Sequence, residues 1–144
     1  MRVAPILLAL LALTGCEPPR EIHVSDGYVR LGAVPGRPAA AYFELHGGAT
    51  DATLISVISD VAIKAEMHES MQSGSMSSMK PIDHIPLPAG KDVIFAPGGK
   101  HVMLFDVNPV IKPGGVVPLT LTFADGRRVQ YRAGAIAAGD PAPK

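Results

Sequence analysis

Short runs of apolar residues, several of them alternating with polar ones, follow each other along most of this chain. From Ile22 onward the runs have the length of β-strands and are bounded by Gly, Pro, Asp or Ser, which is typical of strands joined by turns. About eight strands suit a β-sandwich or a small β-barrel, so we expect a single all-β domain. The predicted strands are Ile22–Val29, Ala40–Leu45, Ala52–Ser59, Val61–Met67, Asp92–Phe95, His101–Val107, Val116–Phe123 and Arg127–Ala133.

The register of the last two strands follows from their alternation. Apolar side chains at every second position of both strands must face the same core. A three-residue turn, Ala124–Gly126, sets Leu121 opposite Val129 and meets this condition. A two-residue turn would set Leu121 opposite the polar Gln130 instead. We therefore expect the three-residue turn, with Gly126 in the left-handed conformation.

Composition supports a β domain and excludes some classes of function. The chain has 144 residues, 47% of them apolar, which is enough for one domain with a hydrophobic core. Its 15 Gly and 14 Pro residues disfavour helices. Lys+Arg and Asp+Glu balance at 13 each, without the basic stripe that a nucleic-acid-binding protein needs. A single cysteine provides neither a disulfide nor a CxxC pair, which excludes thiol redox chemistry.

The first residues resemble a bacterial lipoprotein signal. A basic start precedes an apolar run, Ala4 to Leu13, that is too short to span a bilayer, and Thr14-Gly15-Cys16 follows. In such signals the chain is cut before the cysteine, which is then acylated, so Cys16 would anchor the protein to a membrane. An ordinary secretory peptide with a chance cysteine and an uncleaved anchor are the alternatives.

These features predict the organisation of the whole chain. We expect a signal peptide at 1–15, a lipidated tether at 16–21, the β domain at 22–137 and a disordered tail at 138–144. Fraying is expected from Ala135 onward, because the last residues are rich in Ala, Gly and Pro.

Soft metal ligands are concentrated in one part of the chain. Apart from the initiator, all five methionines lie between positions 67 and 103, together with three of the five histidines. Thioether and imidazole donors without a thiolate suit Cu(I), whereas Mg and Ca prefer oxygen and structural Zn prefers Cys or more His. Core packing is the alternative role of a methionine, and it fits Met67, which lies on the strand face opposite His68.

A hairpin in the serine-rich segment would bring some of these ligands together. If its turn is centred between positions 73 and 74, His68 lies directly opposite Met79, within reach of a shared ion. By the same parity Met71 and Met76 pair with each other on the opposite face, which makes them secondary candidates. A turn of odd length would make the contact between His68 and Met79 diagonal.

A second pair of candidate ligands follows on a later strand. His101 and Met103 are two residues apart, so their side chains share one face of that strand. The preceding Gly98-Gly99 predicts a turn that orients His101. If this strand lies beside the hairpin, two imidazole nitrogens and two thioether sulfurs converge.

The spacing of these four residues resembles a known motif. His68, ten residues, Met79, twenty-one residues, His101, one residue and Met103 match H-x10-M-x21-H-x-M of the periplasmic copper chaperones called PCuAC. Flanking segments, such as Glu66–Glu69, are also similar, and the resemblance covers roughly residues 22–137. The lipoprotein signal and the serine-rich loop are less usual for that family.

The resemblance implies a fold, a cargo and partners. It implies a cupredoxin-like β-barrel in the periplasm that holds Cu(I) near its surface on His68, Met79, His101 and Met103. It further implies transfer of copper toward the dinuclear centre of cytochrome c oxidase. The implied partners are the copper subunit of that oxidase and a second copper chaperone.

Other functions can be compared with this interpretation. A copper sequestration or tolerance lipoprotein needs the same ligands, so the sequence does not separate it from a chaperone. A methionine-rich structural sandwich without metal is a third class. A blue-copper electron carrier needs a Cys thiolate beside two His, and Cys16 lies in the tether. An enzyme is not expected, because the sequence contains no GxSxG, HExxH or phosphate loop and no evident nucleophile and base pair.

The remaining polar candidates are expected to be structural or solvated. This applies to His23, His46 and His84. Glu66 and Glu69 could orient His68, although solvation at the surface is the competing role.

Overall fold

A computed structural model describes residues 17–144 of the protein, and every regular element in this part of the chain is a β-strand. No helix within these residues could cross a membrane. The all-β prediction is confirmed, with ten strands where the sequence pattern predicts about eight. They are β1 His23–Arg30, β2 Ala39–His46, β3 Ala52–Ile58, β4 Ala62–Ser73, β5 Met76–Pro81, β6 Ile85–Leu87, β7 Asp92–Phe95, β8 Lys100–Val107, β9 Val116–Phe123 and β10 Arg128–Ile136.

The ten strands form one sheet that surrounds one core. Their order is β5-β4-β8-β7-β2-β1-β10-β9-β3-β6, with an additional pairing of β2 and β8. Because successive side chains of a strand point to opposite faces, every second residue of β2 faces inward. The four inward side chains of β2 are buried and belong to the core, and they are Ala39, Ala41, Phe43 and Leu45. β3 also packs against β4, which brings the two ends of the sheet toward each other.

The last hairpin has the predicted register. Leu121 lies opposite Val129, Gly126 has a φ of 89°, and the amide of Phe123 donates to the carbonyl of Arg127 across the three-residue turn. The fraying expected from Ala135 is wrong for the first two residues. β10 continues to Ile136 because it also pairs with β1, and Ala135 is buried opposite Val29.

The expected N-terminal anchor lies outside the described residues. Cys16 and the expected signal peptide belong to that part, so both stay predictions. The end of the tether is already attached to the body, since the amide of Ala49 donates to the carbonyl of Arg20 at 2.8 Å. Ile22 is buried directly after it, and β1 begins at His23.

β4 and β5 form the expected hairpin, but its turn lies one residue later. Gly74 is the first residue of the two-residue loop and has a φ of 61°, a conformation that glycine adopts at little cost. His68 therefore lies opposite Pro81, and Met79 lies opposite Ser70. The expected direct pairing of His68 with Met79 is wrong.

The same shift changes the partners of the other two methionines of the hairpin. Met71 lies opposite Ser78 and Met76 lies opposite Ser73, so these two methionines are not paired with each other. Moving the turn by one residue changes every partner by two positions, which leaves each side chain on its predicted face. Met71 and Met76 thus share the face opposite His68.

Candidate metal centre

His68 and His101 lie side by side on neighbouring strands. His68 of β4 is the direct partner of His101 of β8, and directly paired residues project to the same face of a sheet. Their ring centroids are 5.9 Å apart with an angle of 73° between the planes. On the other side of His101 lies Tyr42, with a centroid distance of 6.4 Å. The sheet thus brings together two histidines that are far apart in sequence.

Each of the two rings has one bonded and one unbonded nitrogen. Nε2 of His68 lies 3.1 Å from a carboxylate oxygen of Glu66, and Nδ1 of His101 lies 3.1 Å from the carbonyl oxygen of Gly99. Both partners accept hydrogen bonds only, so these ring nitrogens carry the protons when the rings are neutral. Nδ1 of His68 and Nε2 of His101 are buried and have no hydrogen-bond partner among the described residues. Two buried lone pairs are therefore left for a ligand.

The spacing of the rings suits a shared metal ion. A bond of about 2.0 Å between a metal and an imidazole nitrogen places the ion about 3.2 Å from each ring centre. Two rings on one ion then have centres at most about 6.4 Å apart. The observed 5.9 Å between His68 and His101 lies within that limit.

Both sulfur candidates lie on the same face as the two rings. Met103 is two residues from His101 on β8, lies opposite Glu66 and is partly buried. Met79 is a diagonal neighbour of His68 across β4 and β5, and it is 58% exposed. All four predicted ligands therefore lie on one face of the three strands β5, β4 and β8.

Glu66 links the site to a second charge. Its carboxylate contacts the Lys64 ammonium as well as Nε2 of His68. These two hydrogen bonds, the one from Lys64 first and that from His68 second, hold the pKa of the Glu66 carboxyl below its ordinary value. An ionised carboxylate on the outer nitrogen of His68 fixes the ring tautomer and favours a cation beyond the ring.

Glu66 and Glu69, which are equal candidates in the sequence for orienting His68, have different partners in the structure. Glu69 contacts the ammonium of Lys100 at 3.1 Å. Only Glu66 of the two contacts His68. The carbonyl of Gly99, which holds His101, could not be identified from residue type, although the Gly98-Gly99 pair correctly predicted a turn there.

The other histidines lie elsewhere. His84 is exposed in the segment between β5 and β6. His23 and His46 stack with centroids 4.5 Å apart. His46 also joins three strands, because Nδ1 lies 2.9 Å from Asp92 and Nε2 lies 2.8 Å from the hydroxyl of Ser25.

The order Asp92, His46, Ser25 resembles a catalytic triad, which the positions of these residues in the sequence do not indicate. Its last member differs, however, because the hydroxyl of Ser25 also lies 2.9 Å from the carboxylate of Asp26. The Ser25 hydroxyl donates its one proton to that carboxylate, so it does not donate this proton to His46 as the serine of a triad would. We interpret this hydrogen-bonded chain as a link between β1, β2 and β7.

Within residues 17–144, no group of three or more His, Cys, Asp or Glu side chains is arranged to hold a metal ion. A metal centre at His68 and His101 therefore depends on thioether ligands. Met67, the remaining methionine of this region, is only 6% exposed and packs in the core as expected.

Known proteins share this fold. The copper-bound PCuAC domain from PmoF2 superimposes with a TM-score of 0.65 at 22% identity, covering 84% of this chain and 99% of that domain. The solution structure of CuI-DR1885 from Deinococcus radiodurans gives a TM-score of 0.59 at 28% identity and covers 78% of either chain. The expected resemblance to PCuAC domains is thereby confirmed, together with the cupredoxin-like fold class.

Sequence comparison identifies relatives as well. The putative lipoprotein Lxx21020 of Leifsonia xyli subsp. xyli is 27% identical over 139 residues, which cover 88% of this chain and 83% of that protein. The model of the family described as putative lipoprotein LpqE-like matches residues 22–134, from the first buried residue of the body to two residues before the end of β10. With most of its length matched, the chain belongs to the LpqE-like family of putative lipoproteins.

Proposed function

We propose that this protein is a lipid-anchored copper carrier of the bacterial periplasm. It binds Cu(I) through His68, Met79, His101 and Met103 and delivers it to the dinuclear copper centre of cytochrome c oxidase. One observation carries the proposal. Two neighbouring imidazoles each hold one nitrogen in a hydrogen bond and leave the other buried and unbonded, on the sheet face that also bears two thioethers.

The chemistry of these donors supports Cu(I) as the cargo. Thioether sulfur is a soft donor, which selects Cu(I) over harder ions, and imidazole is acceptable to copper in both oxidation states. The solved structures with this fold include one described as copper-bound and one described as the Cu(I) form. No thiolate is needed, which agrees with a chain whose one cysteine is assigned to the anchor.

The exposure of the site supports delivery of the ion. Met79 is 58% exposed and lies on β5, an edge strand whose residues are all exposed. The two histidines behind it are mostly buried, with side-chain exposure of 14% for His68 and residue exposure of 4% for His101. An acceptor protein can therefore replace an outer ligand before the inner ones.

The anchor explains how such a carrier would stay near its acceptor. Acylation of Cys16 would hold the protein at a membrane surface, with residues 17–19 as a short tether before the first attached residue, Arg20. Cytochrome c oxidase is a membrane enzyme, and a tethered carrier searches for it on a surface instead of in a volume. A second copper chaperone is a further partner in this proposal.

The ligand set can be tested by competition with a calibrated Cu(I) chelator. We expect one Cu(I) per protein at this site, with weaker binding after each of the substitutions His68→Ala, Met79→Leu, His101→Ala and Met103→Leu. His84→Ala is the matched control, because His84 is an exposed histidine outside the proposed ligand set. Unchanged affinity in the four variants, or loss of binding in the control, would contradict the assigned site.

Delivery can be tested in cells that lack the protein. A carrier for the oxidase predicts low oxidase activity at limiting copper, restored by added copper and by the wild-type gene but not by the His101→Ala variant. Normal oxidase activity together with poor survival at high copper would instead identify a protein that only sequesters copper.

A further inference from the structure

The tip of the β4–β5 hairpin carries two more exposed methionines, which the proposed site does not use. The pairing of β4 with β8 ends at Glu69 and Lys100, so beyond this point β4 pairs only with β5. Met71 is 52% exposed and Met76 is 75% exposed. Both belong to a segment in which all residues from 71 to 81 are exposed. Two large apolar side chains in a strand pair otherwise rich in serine contribute nothing to the core.

Their register places these two sulfurs near each other. Met71 lies opposite Ser78, and Met76 lies two residues before Ser78 on the same strand. The two methionines are therefore diagonal neighbours on one face, at a Cβ distance below about 7–8 Å, which long side chains can span. That face is the reverse of the one that bears His68 and Met79.

We propose that Met71 and Met76 form a second site for a soft monovalent metal ion, Cu(I) in the cell, on the reverse face of the hairpin. A metal–sulfur bond of about 2.3 Å places two sulfurs on one ion at most about 4.6 Å apart. Unbranched thioether side chains with three rotatable bonds reach this separation from diagonal positions. The neighbours opposite them, Ser78 and Ser73, are small and leave room for an ion.

The composition of the site predicts weak binding and fast release. It has two neutral donors and no imidazole, and at the next pair along the same face the exposed Lys80 lies opposite Glu69, whose carboxylate is paired with Lys100. Its role as a loading position for copper rests on the proposed function, since an ion held at the hairpin tip lies on the two strands that carry His68 and Met79. Binding of a soft ion at Met71 and Met76 does not depend on that role.

Titration with Ag(I), a soft ion that is not oxidised in air, tests the proposal on purified protein labelled with carbon-13 at the methionine methyl groups. We expect the methyl signals of Met71 and Met76 to shift together, after those of Met79 and Met103. The buried Met67 should not move. Met76→Leu should abolish the shift at Met71, and Met71→Leu should abolish the shift at Met76, because a pair is required.

A lone exposed thioether provides the control. Ile63→Met introduces one at a position that is 83% exposed, far from the hairpin tip. Two donors on one ion should bind at least about tenfold more tightly than this single donor. The methyl signals of Met71 and Met76 should therefore shift at a lower Ag(I) concentration than the signal of the introduced methionine. Shifts at the same concentration would overturn the second site.

The two proposals fail separately in this experiment. Shifts at Met71 and Met76 without shifts at Met79 and Met103 would support the second site and contradict the first. Shifts at Met79 and Met103 alone would support the first and overturn the second.

Discussion

Glu66 hydrogen-bonds the outer nitrogen of His68 and also pairs with Lys64. Its expected contribution to copper binding can be tested separately. Removal of a group that hydrogen-bonds the outer nitrogen of a ligating imidazole costs about 10–100-fold in metal affinity. We therefore expect Glu66→Ala to weaken Cu(I) binding by about tenfold or more.

Glu69→Ala is the matched control for this prediction, because Glu69 lies on the same strand and contacts Lys100. The nitrogen-15 shifts of the His68 ring should report a loss of the preferred tautomer in the Glu66 variant alone. Equal affinity in the two variants, with the tautomer of His68 unchanged, would show that Glu66 does not position the ring.

Acid should weaken Cu(I) binding through the two imidazoles. Histidine takes up a proton between about pH 7 and 5, and a protonated ring cannot bind metal, whereas a thioether has no proton to lose. Affinity should fall as the pH drops through this range, with the number of protons displaced per copper approaching two. Because the pKa of Glu66 is lowered by Lys64 and His68, this carboxylate stays ionised in the same range and adds no slope.

Substitutions at the four proposed ligands should separate the contributions of imidazole and thioether donors to that pH profile. His68→Met and His101→Met should each flatten the pH dependence while keeping a soft ligand. Met79→Leu and Met103→Leu should weaken binding and leave the slope unchanged. The protein that carries both His68→Met and His101→Met should show little pH dependence. If its Cu(I) affinity still fell as steeply with acid, other histidines would be the ligands.

At the scale of secondary-structure elements, the chain of Asp92, His46 and Ser25 connects β7, β2 and β1. Asp92→Ala removes one hydrogen bond from this chain, at a position where the carboxylate is 55% exposed. Exposed pairs contribute little because water screens them, so we expect a loss of about 1 kcal/mol or less in the free energy of unfolding.

Urea unfolding of the Asp92 variant tests this expectation, with Asp83→Ala as a control at another exposed carboxylate. Copper affinity should not change in either variant, since neither carboxylate hydrogen-bonds one of the four proposed ligands. A lower copper affinity in the Asp92 variant would show that the two regions are coupled.

For the whole molecule, anchoring and copper binding should be independent. We expect Cys16→Ser to abolish lipid attachment and to leave Cu(I) affinity unchanged. The reason is distance along the sheet. β1 begins at the row of His23 and His46, directly after the expected tether, and this row lies four residues along β2 from Tyr42, which neighbours His101. At about 3.3 Å per residue this is about 13 Å.

Incorporation of labelled palmitate and chelator competition measure the two properties separately. Lipid attachment that persists in the Ser variant would show that Cys16 is not the acylated residue. The Cys16→Ser protein carries no lipid and can be measured without detergent. A changed copper affinity of this variant would show that the anchor takes part in the copper site.

The local pattern of the sequence determined the strands and one complete hairpin. Alternation of apolar side chains fixed the register of β9 and β10, because a shift by one residue would expose every core residue of both strands. It also placed Met67 inside and His68 outside, and it assigned Met71 and Met76 to the reverse face. The same pattern missed β6, which has three residues, and the further extension of β10. β5 was expected only as the second arm of the hairpin.

Only the tertiary structure decided which residues meet at the candidate site. The hairpin register depended on the position of one left-handed glycine, Gly74, and both faces of the hairpin tip are exposed, so no burial of apolar residues specified it. The direct pairing of His68 with His101 is a contact between strands distant in sequence. Glu66, and not Glu69, hydrogen-bonds His68 because of the direction of its side chain, which the sequence alone does not give. His101 is held by the carbonyl of Gly99, a backbone group that every residue possesses, so residue type could not indicate it.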